Sequence, residues 1–201
     1  MYSKALGPNS IIYSAGVGED TSFDELLISK FNCMIHAFDP TPKSIDYIHN
    51  RRQLQNLDGR FKLYEWALSA KDGSAKFYLP TNQDHVSASL IEGESRKGDT
   101  VEVQCKSLLS IMKALNHEAI DLLKIDIEGS EFEIIDYILN NNIQIGQLLV
   151  EVHPTFFSDG FERTKKSLER LEDYGMKIYA VSRLAREYSL INRSVLNIQT
   201  D

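Results

Sequence analysis

Short apolar segments alternate with longer amphipathic segments along most of this chain, and that alternation constrains the fold more than any other feature. Residues 11–13, 33–38 and 122–127 form near-continuous apolar runs. Between the first two runs, apolar residues recur at helical spacing over residues 23–31. Strands without polar alternation are buried on both faces, which is typical of a parallel sheet covered by helices. The sequence therefore predicts a doubly wound α/β fold, with helices on both faces of a mostly parallel sheet.

The length and charge of the chain limit its organisation and its partners. Its 201 residues predict a single domain over residues 1–201. The net charge of −7 argues against nucleic acid or an anionic membrane as the main partner, because both select basic surfaces. Residues 1–10 contain no apolar leader segment, the apolar runs are too short to cross a bilayer, and Cys33 and Cys105 have no metal-ligand spacing. We therefore expect a cytoplasmic protein that acts on a small molecule.

The last part of the chain departs from the alternation. Residues 177–181 and 195–198 both have strand character, with no helix predicted between them. Such a pair predicts an antiparallel strand near one edge of the sheet. An exposed edge strand can pair across a two-fold axis, so a homodimer is one expectation for the assembly.

The first polar segment after an apolar run contains Gly16 and Gly18, which are followed by Glu19 and Asp20. Glycine allows a sharp turn and the close approach of a ligand. The third glycine of a dinucleotide-binding loop is absent, and carboxylates beside a helix start would repel a pyrophosphate. This segment favours a cationic or zwitterionic ligand. The alternative is a tight turn that binds nothing.

Asp39 ends the second apolar run, about 20 residues after the glycines. A carboxylate at this place can accept two hydrogen bonds from a ribose diol. The alternative is an aspartate that stabilises the turn ahead of Pro40.

A third polar segment follows the apolar run over residues 122–127. Strand alternation places Lys124, Asp126 and Glu128 on one side. Since an isolated ammonium group is costly in an apolar run, Lys124 is expected to pair with one of these two carboxylates. The alternative to a functional site is a structural ion pair followed by a helix cap.

Glu151 and His153 end the next apolar run and share one face. His153 could act as a general base or bind a metal, and the alternative is a structural histidine. Together with Asp126 these residues could instead surround Mg²⁺ or Mn²⁺, because oxygen and imidazole ligands suit those ions. Our expectation for the site is catalysis without a metal.

These segments together resemble the FkbM-type branch of the class I S-adenosylmethionine-dependent methyltransferases. The most specific match is LKIDIEGSE at residues 123–131, and SAGVGED at residues 14–20 is similar to the family's glycine loop. AFDP at residues 37–40 is similar to its ribose-binding segment, and residues 67–73 and 151–153 resemble its later motifs. Ser14 is a departure, because many class I enzymes carry there an acid that helps to hold the methionine part of the donor.

The resemblance implies a seven-stranded sheet of order 3-2-1-4-5-7-6 with one antiparallel strand. It implies transfer of a methyl group from S-adenosylmethionine, usually to an oxygen of a sugar or natural-product-like acceptor. The residues implied in cofactor binding are Ser14, Gly16, Gly18, Glu19, Asp39, Trp66, Ala67 and Asp126, and those implied in catalysis are Asp126, Glu151 and His153. Within this set, Trp66 and Ala67 would end the third strand and border the adenine.

Two other functions remain open at this stage: a nicotinamide-dependent oxidoreductase and a non-catalytic ligand-binding protein that keeps the fold. The acceptor is expected to meet the polar segment over residues 81–99, which contains His85, Ser87 and Ser89, and to meet Phe156 or Phe157.

Overall fold

The computed structural model describes residues 1–51, 54, 57–78 and 100–194. The α-helices with described bounds are α1 (Ser22–Phe31), α2 (Pro42–Asn50), α3 (Leu108–Leu115), α4 (Glu131–Asn140) and α5 (Gly160–Asp173). The strands are β1 (Ile11–Ala15), β2 (Met34–Phe38), β3 (Phe61–Tyr64), β4 (Trp66–Ser69), β5 (Gly73–Tyr78), β6 (Thr100–Ser107), β7 (Ile120–Ile125), β8 (Ile145–Glu151), β9 (Met176–Val181) and β10 (Glu187–Asn192).

Seven of these strands form the main sheet in the order β3-β2-β1-β7-β8-β10-β9. Counted within the sheet, this is the predicted order 3-2-1-4-5-7-6, and β10 is antiparallel to both of its neighbours. The fold prediction is therefore confirmed. The antiparallel strand, however, occupies Glu187–Asn192, while the predicted strand at residues 195–198 lies outside the described residues.

The sequence pattern over residues 61–67 predicts one strand, the third of the sheet. This prediction is wrong, because the structure divides the segment at Glu65 into β3 and β4. β3 pairs with β2 in the main sheet, whereas β4 pairs with β6 in a separate three-stranded sheet of order β4-β6-β5. Trp66 and Ala67 thus lie opposite Gln104 and Cys105. Because the strand that pairs with β4 is distant in sequence, the local apolar pattern could not show that β3 and β4 are two strands.

Apolar side chains cover the two faces of the main sheet in separate clusters. On β1, Tyr13 and Ala15 face the larger cluster and Ile12 faces the other. All three are completely buried. This two-sided burial agrees with the apolar runs of the sequence and holds the strands rigidly, so their carboxyl ends form a fixed platform for polar residues.

The sequence after Pro40 and Pro42 predicts a helix over about residues 45–54, whereas α2 begins earlier, at Pro42, and ends earlier, at Asn50. Pro42 occupies the first turn, where its fixed φ favours helix and its missing N–H is not needed. The helix ends at Asn50, before Arg51, which is extended. Among the described residues, no helix combines the length and the apolar character that a membrane span requires.

Candidate functional site

The carboxyl ends of β1, β2 and β7 lie side by side, because these three strands are parallel neighbours. Polar residues that follow each strand therefore meet at one edge of the sheet, where ligands bind in open α/β folds. A cavity of about 390 Å³ opens there, which we call the strand-end cavity. Its lining includes Gly16, Gly18, Asp39, Ala67 and Asp126, as predicted for a shared site.

Gly16 is the residue whose lack of a side chain the site most clearly requires. Its φ is +77°, and a Cβ atom placed there would lie 1.6 Å from the carbonyl oxygen of Asp126. The Gly16 N–H donates to the Phe38 carbonyl at 3.0 Å, and the Asp126 N–H donates to the Ala15 carbonyl at 3.0 Å. The glycine loop is therefore pressed against the ends of β2 and β7.

Asp39 ties that loop to the start of α2. Its Oδ2 atom accepts hydrogen bonds from the N–H groups of Val17 at 3.0 Å and Gly18 at 2.9 Å. Its Oδ1 atom accepts from the N–H of Thr41 at 3.0 Å and from the Thr41 hydroxyl at 2.7 Å. The carboxylate lines the cavity, so the turn-stabilising role is observed, while the contact with a ribose stays a prediction.

Lys124 does not use the partners that the sequence suggested. Its Nζ atom donates to the carbonyl oxygen of Gly16 at 3.0 Å, so it is bonded to the glycine loop and not to the carboxylate of Asp126 or Glu128. The strand pattern placed the three side chains on one side but could not show that the loop folds back over Lys124. Ser14 is completely buried and does not line the cavity.

The two acids of the glycine loop are engaged by protein groups. Glu19 forms an ion pair with Lys43 at 3.1 Å, and Asp20 accepts a hydrogen bond from the N–H of Ser22 at 2.9 Å. That backbone hydrogen bond holds the pKa of Asp20 below its ordinary value. Both acids nevertheless line the strand-end cavity and keep its wall negative.

Four side chains form an acid–histidine cluster beside the cavity: Asp126, Glu128, Glu151 and His153. The His153 Nε2 atom lies 3.6 Å from Glu128 Oε2 and 4.0 Å from both Asp126 Oδ1 and Glu151 Oε1. Burial raises the pKa of Asp126 to about 6, although the charge of Lys124 opposes this effect. Asp126 and Glu128 also line the cavity, so the cluster faces the space where a ligand would bind.

Glu131, which sequence reasoning read only as a helix-start acid, orients this cluster. Its carboxylate is completely buried and accepts hydrogen bonds from the N–H groups of Ile127 at 3.2 Å and Gly129 at 3.0 Å. It also contacts His153 Nδ1 at 2.9 Å, so Nδ1 is the nitrogen assigned a proton and Nε2 faces the carboxylates. Burial lowers the pKa of His153, but the hydrogen bond and charge of Glu131, with the charges of Glu128 and Asp126, raise it overall.

The cluster also has the composition of a divalent-cation site. One ligand atom from each of Asp126, Glu128 and His153 can be chosen so that the three lie within 4.8 Å of one another. This set contains Glu128 where the sequence suggested Glu151. Carboxylate oxygens and one imidazole suit Mg²⁺ or Mn²⁺.

Trp66 and Ala67 are neighbours on β4, but only Ala67 is among the residues that line the cavity. Ala67 lines the cavity, together with Leu68 from the same strand, whereas Trp66 packs against Tyr64 with 5.1 Å between ring centroids. On the acceptor side, Phe156 stacks on His153 at 5.1 Å. The predicted acceptor loop over residues 81–99, with His85, Ser87 and Ser89, lies outside the described residues.

A family model, the "Methyltransferase FkbM domain", matches residues 12–178, which is most of the chain. The chain belongs to the FkbM methyltransferase family. The resemblance inferred from the sequence motifs is confirmed. Membership of a methyltransferase family also supports the predicted cofactor, S-adenosylmethionine, and favours methyl transfer over hydride transfer.

Two curated relatives of this FkbM domain share the same name, "Probable methyltransferase-like protein 24". The protein from Rattus norvegicus is 27% identical over 158 residues, which cover 75% of this chain and 36% of the relative. The protein from Homo sapiens is 27% identical over 146 residues, covering 71% and 32%. The chain thus spans about a third of the length of the curated relatives that it matches.

Solved structures share the architecture of the FkbM domain at low sequence identity. An rRNA methylase from Streptococcus thermophilus has a TM-score of 0.51 at 11% identity, covering 93% of this chain and 87% of that one. SMU.1697c from Streptococcus mutans, in complex with SAH, has a TM-score of 0.51 at 13% identity, covering 94% and 90%. These likenesses show the fold of class I methyltransferases.

Proposed function

We propose that this FkbM domain transfers a methyl group from S-adenosylmethionine to a hydroxyl oxygen of a sugar or natural-product-like acceptor. The observation that carries the proposal is one cavity whose wall joins a glycine loop to an acid–histidine cluster. Its volume of about 390 Å³ falls within the range of small-molecule sites.

The charge of the cavity supports a cationic donor. Five carboxylates line it, those of Glu19, Asp20, Asp39, Asp126 and Glu128, and its described lining contains no lysine, arginine or histidine. A pyrophosphate would be repelled by such a wall, whereas a sulfonium and an ammonium group are attracted. At Gly18, which also lines the cavity, nothing lies within 4 Å of the place that a Cβ would take, so a ligand can pass close to the backbone there.

Each part of the donor has a matching part of the wall. Gly16 and Gly18 would receive the methionine end, and Asp39 would accept hydrogen bonds from the ribose hydroxyls. The apolar wall at Ala67 would border the adenine, with Trp66 supporting the same strand. Ser14 and Glu19 are proposed to act at the methionine end through the loop, since Ser14 lies behind it and Glu19 lines the cavity.

S-adenosylmethionine supplies a methyl group already activated by a positively charged sulfur, so the protein mainly has to align the acceptor with it. The oxygen–carbon bond forms as the carbon–sulfur bond breaks, and the hydroxyl proton must leave. Asp126, whose pKa burial raises to about 6, is largely ionised at neutral pH, lines the cavity and would take that proton. His153, together with Glu151, would hold the acceptor and share the proton within the cluster.

Labelled methyl transfer tests this proposal. The protein is incubated with methyl-labelled S-adenosylmethionine and matched pairs of acceptors that carry either a hydroxyl or an amine at the same position. We expect label in the hydroxyl compounds, and its loss with Asp126→Asn while donor binding persists. Label only in the amine compounds would show that the protein methylates nitrogen and not oxygen. Donor binding without transfer to any acceptor would favour a non-catalytic ligand-binding protein.

The same assay separates an acid–base role of the cluster from a metal role. Activity that survives a chelator supports Asp126 and His153 as proton-transfer groups. Activity that is lost with chelator and restored by Mn²⁺ would support a cation bound by Asp126, Glu128 and His153, whose ligand atoms are close enough for it.

A further inference from the structure

Three polar side chains lie behind the glycine loop and take no direct part in the methyl and proton transfers proposed above. Ser14 on β1 stands opposite Lys124 on β7 in the parallel register, and Asp24 comes from the first turn of α1. Ser14 and Asp24 are 0% and 2% exposed. Lys124 is half-buried, and we call the three residues the loop-support triad.

Neither the Ser14 hydroxyl oxygen nor Asp24 Oδ1 has a partner within ordinary hydrogen-bond geometry among the described residues, although the Ser14 hydroxyl is close enough to the Asp24 carboxyl to lower its pKa. Buried polar atoms without partners are rare, because leaving them unpaired costs free energy. A buried carboxylate kept in this state indicates a role beyond packing, and the positive charge of Lys124 acts on it.

The electrostatics of the loop-support triad agree with such a role. Burial raises the pKa of Asp24 to about 6, while the positive charge of Lys124 and the Ser14 hydroxyl act in the opposite direction. Lys124 in turn donates to the Gly16 carbonyl at 3.0 Å. The other three acids near this end of α1 are engaged elsewhere, Glu19 by Lys43, Asp20 by the Ser22 N–H, and Glu25 by Arg51 and the Thr21 hydroxyl.

We propose that Asp24 is a positioning residue for the donor: beside Ser14 its negative charge attracts Lys124, which holds the Gly16 carbonyl and so shapes the glycine loop for the amino-acid end of the ligand. This inference rests on the proposed function, which places that end of the donor against Gly16. It also accounts for a serine at position 14, because the acid comes from α1 and not from β1.

Calorimetry with two ligands tests the inference. S-adenosylhomocysteine carries the amino-acid end, whereas 5′-methylthioadenosine keeps the nucleoside and the sulfur but lacks that end. We expect Asp24→Asn and Lys124→Met to weaken binding of S-adenosylhomocysteine about tenfold and to leave binding of 5′-methylthioadenosine within about twofold. Asp46→Asn, the same change on the exposed face of α2, serves as the matched control and should alter neither affinity.

Three results would overturn the inference. The first is wild-type affinity of Asp24→Asn for S-adenosylhomocysteine. The second is an equal loss of both ligands, which would indicate a general structural role. The third result applies if Asp24→Asn does not fold: it is that Lys124→Met and Ser14→Ala both bind S-adenosylhomocysteine with wild-type affinity. Failure of the wild-type protein to bind S-adenosylhomocysteine would instead refute the proposed function on which the inference rests.

Discussion

The two sides of the strand-end cavity are built differently. On the glycine-loop side, the carboxylate of Asp39 accepts four hydrogen bonds from the backbone of Val17, Gly18 and Thr41 and from the Thr41 hydroxyl. On the other side, three carboxylates approach the His153 Nε2 atom at 3.6–4.0 Å, beyond ordinary hydrogen-bond distance.

The two sides should therefore have different roles. On the loop side the polar groups hydrogen-bond to the backbone, so this side defines the shape of the space in which a ligand fits. The cluster side concentrates titratable groups: burial raises the pKa of Asp126, and the pKa of His153, which burial alone would lower, is raised overall by its acidic neighbours. Changes on the loop side should therefore alter donor binding, and changes in the cluster should alter turnover.

The largest expected effect is on the loop side. Gly16→Ala should abolish donor binding, because its Cβ would collide with the Asp126 carbonyl oxygen and its φ of +77° disfavours a side chain. Calorimetry with S-adenosylmethionine measures this loss. Gly7→Ala is the matched control, since a Cβ there meets nothing within 4 Å. Normal binding by Gly16→Ala would show that the loop does not define the donor site.

In the cluster, a large effect is expected on turnover and not on donor binding. His153→Ala should lower turnover about 100-fold, the scale of one acid–base group, and leave donor affinity within about twofold. Rates of labelled methyl transfer and calorimetric affinities provide the two readouts. His49→Ala at the exposed end of α2 is the control. Full turnover by His153→Ala would show that His153 takes no part in the reaction.

Removing the buried carboxylate that supports the cluster should lower the stability of the fold as well as the activity. Glu131→Gln should destabilise the fold by about 3 kcal/mol, since the completely buried carboxylate accepts from two backbone N–H groups and His153. It should also lower the pKa of His153, because the interaction with Glu131 raises it. Denaturant unfolding and NMR titration measure these effects, and an unchanged His153 titration would contradict this coupling.

The smallest effect concerns a histidine outside both sides of the cavity. Burial, with the charges of His117 and Lys62, lowers the pKa of His36 to about 4. The unfolded state then takes up a proton near pH 6.5 and the folded state near pH 4, so this group reduces stability as the pH falls between these values. At pH 4 this reduction in stability should be about 3 kcal/mol, and above pH 7.5 it should be absent.

His36→Phe should remove that part of the pH dependence while leaving donor affinity unchanged. Urea unfolding of both proteins from pH 4 to pH 8 checks it. If the two stability curves stay parallel over this range, His36 is not the source of the acid sensitivity, and the cluster would be the next group to examine.

The strand-end residues were accessible to sequence reasoning for a physical reason. Parallel strands buried on both faces leave their polar residues only where they end, so Gly16, Asp39 and Asp126 could be placed at one edge. The order of the strands came from the family resemblance, and it is correct. Asp24 and Glu131 were missed as buried groups because their burial depends on the packing of α1 and α4, which local periodicity does not reveal. The division of residues 61–69 was missed because β4 finds its partner in β6.

Calorimetric titration of the wild-type protein with S-adenosylmethionine, and separately with NAD⁺, tests the central claim most directly. A cavity lined by five carboxylates and no basic side chain among its described residues should bind one equivalent of the sulfonium compound and give no saturable heat with the dinucleotide. Saturable binding of NAD⁺ with none of S-adenosylmethionine would contradict the account.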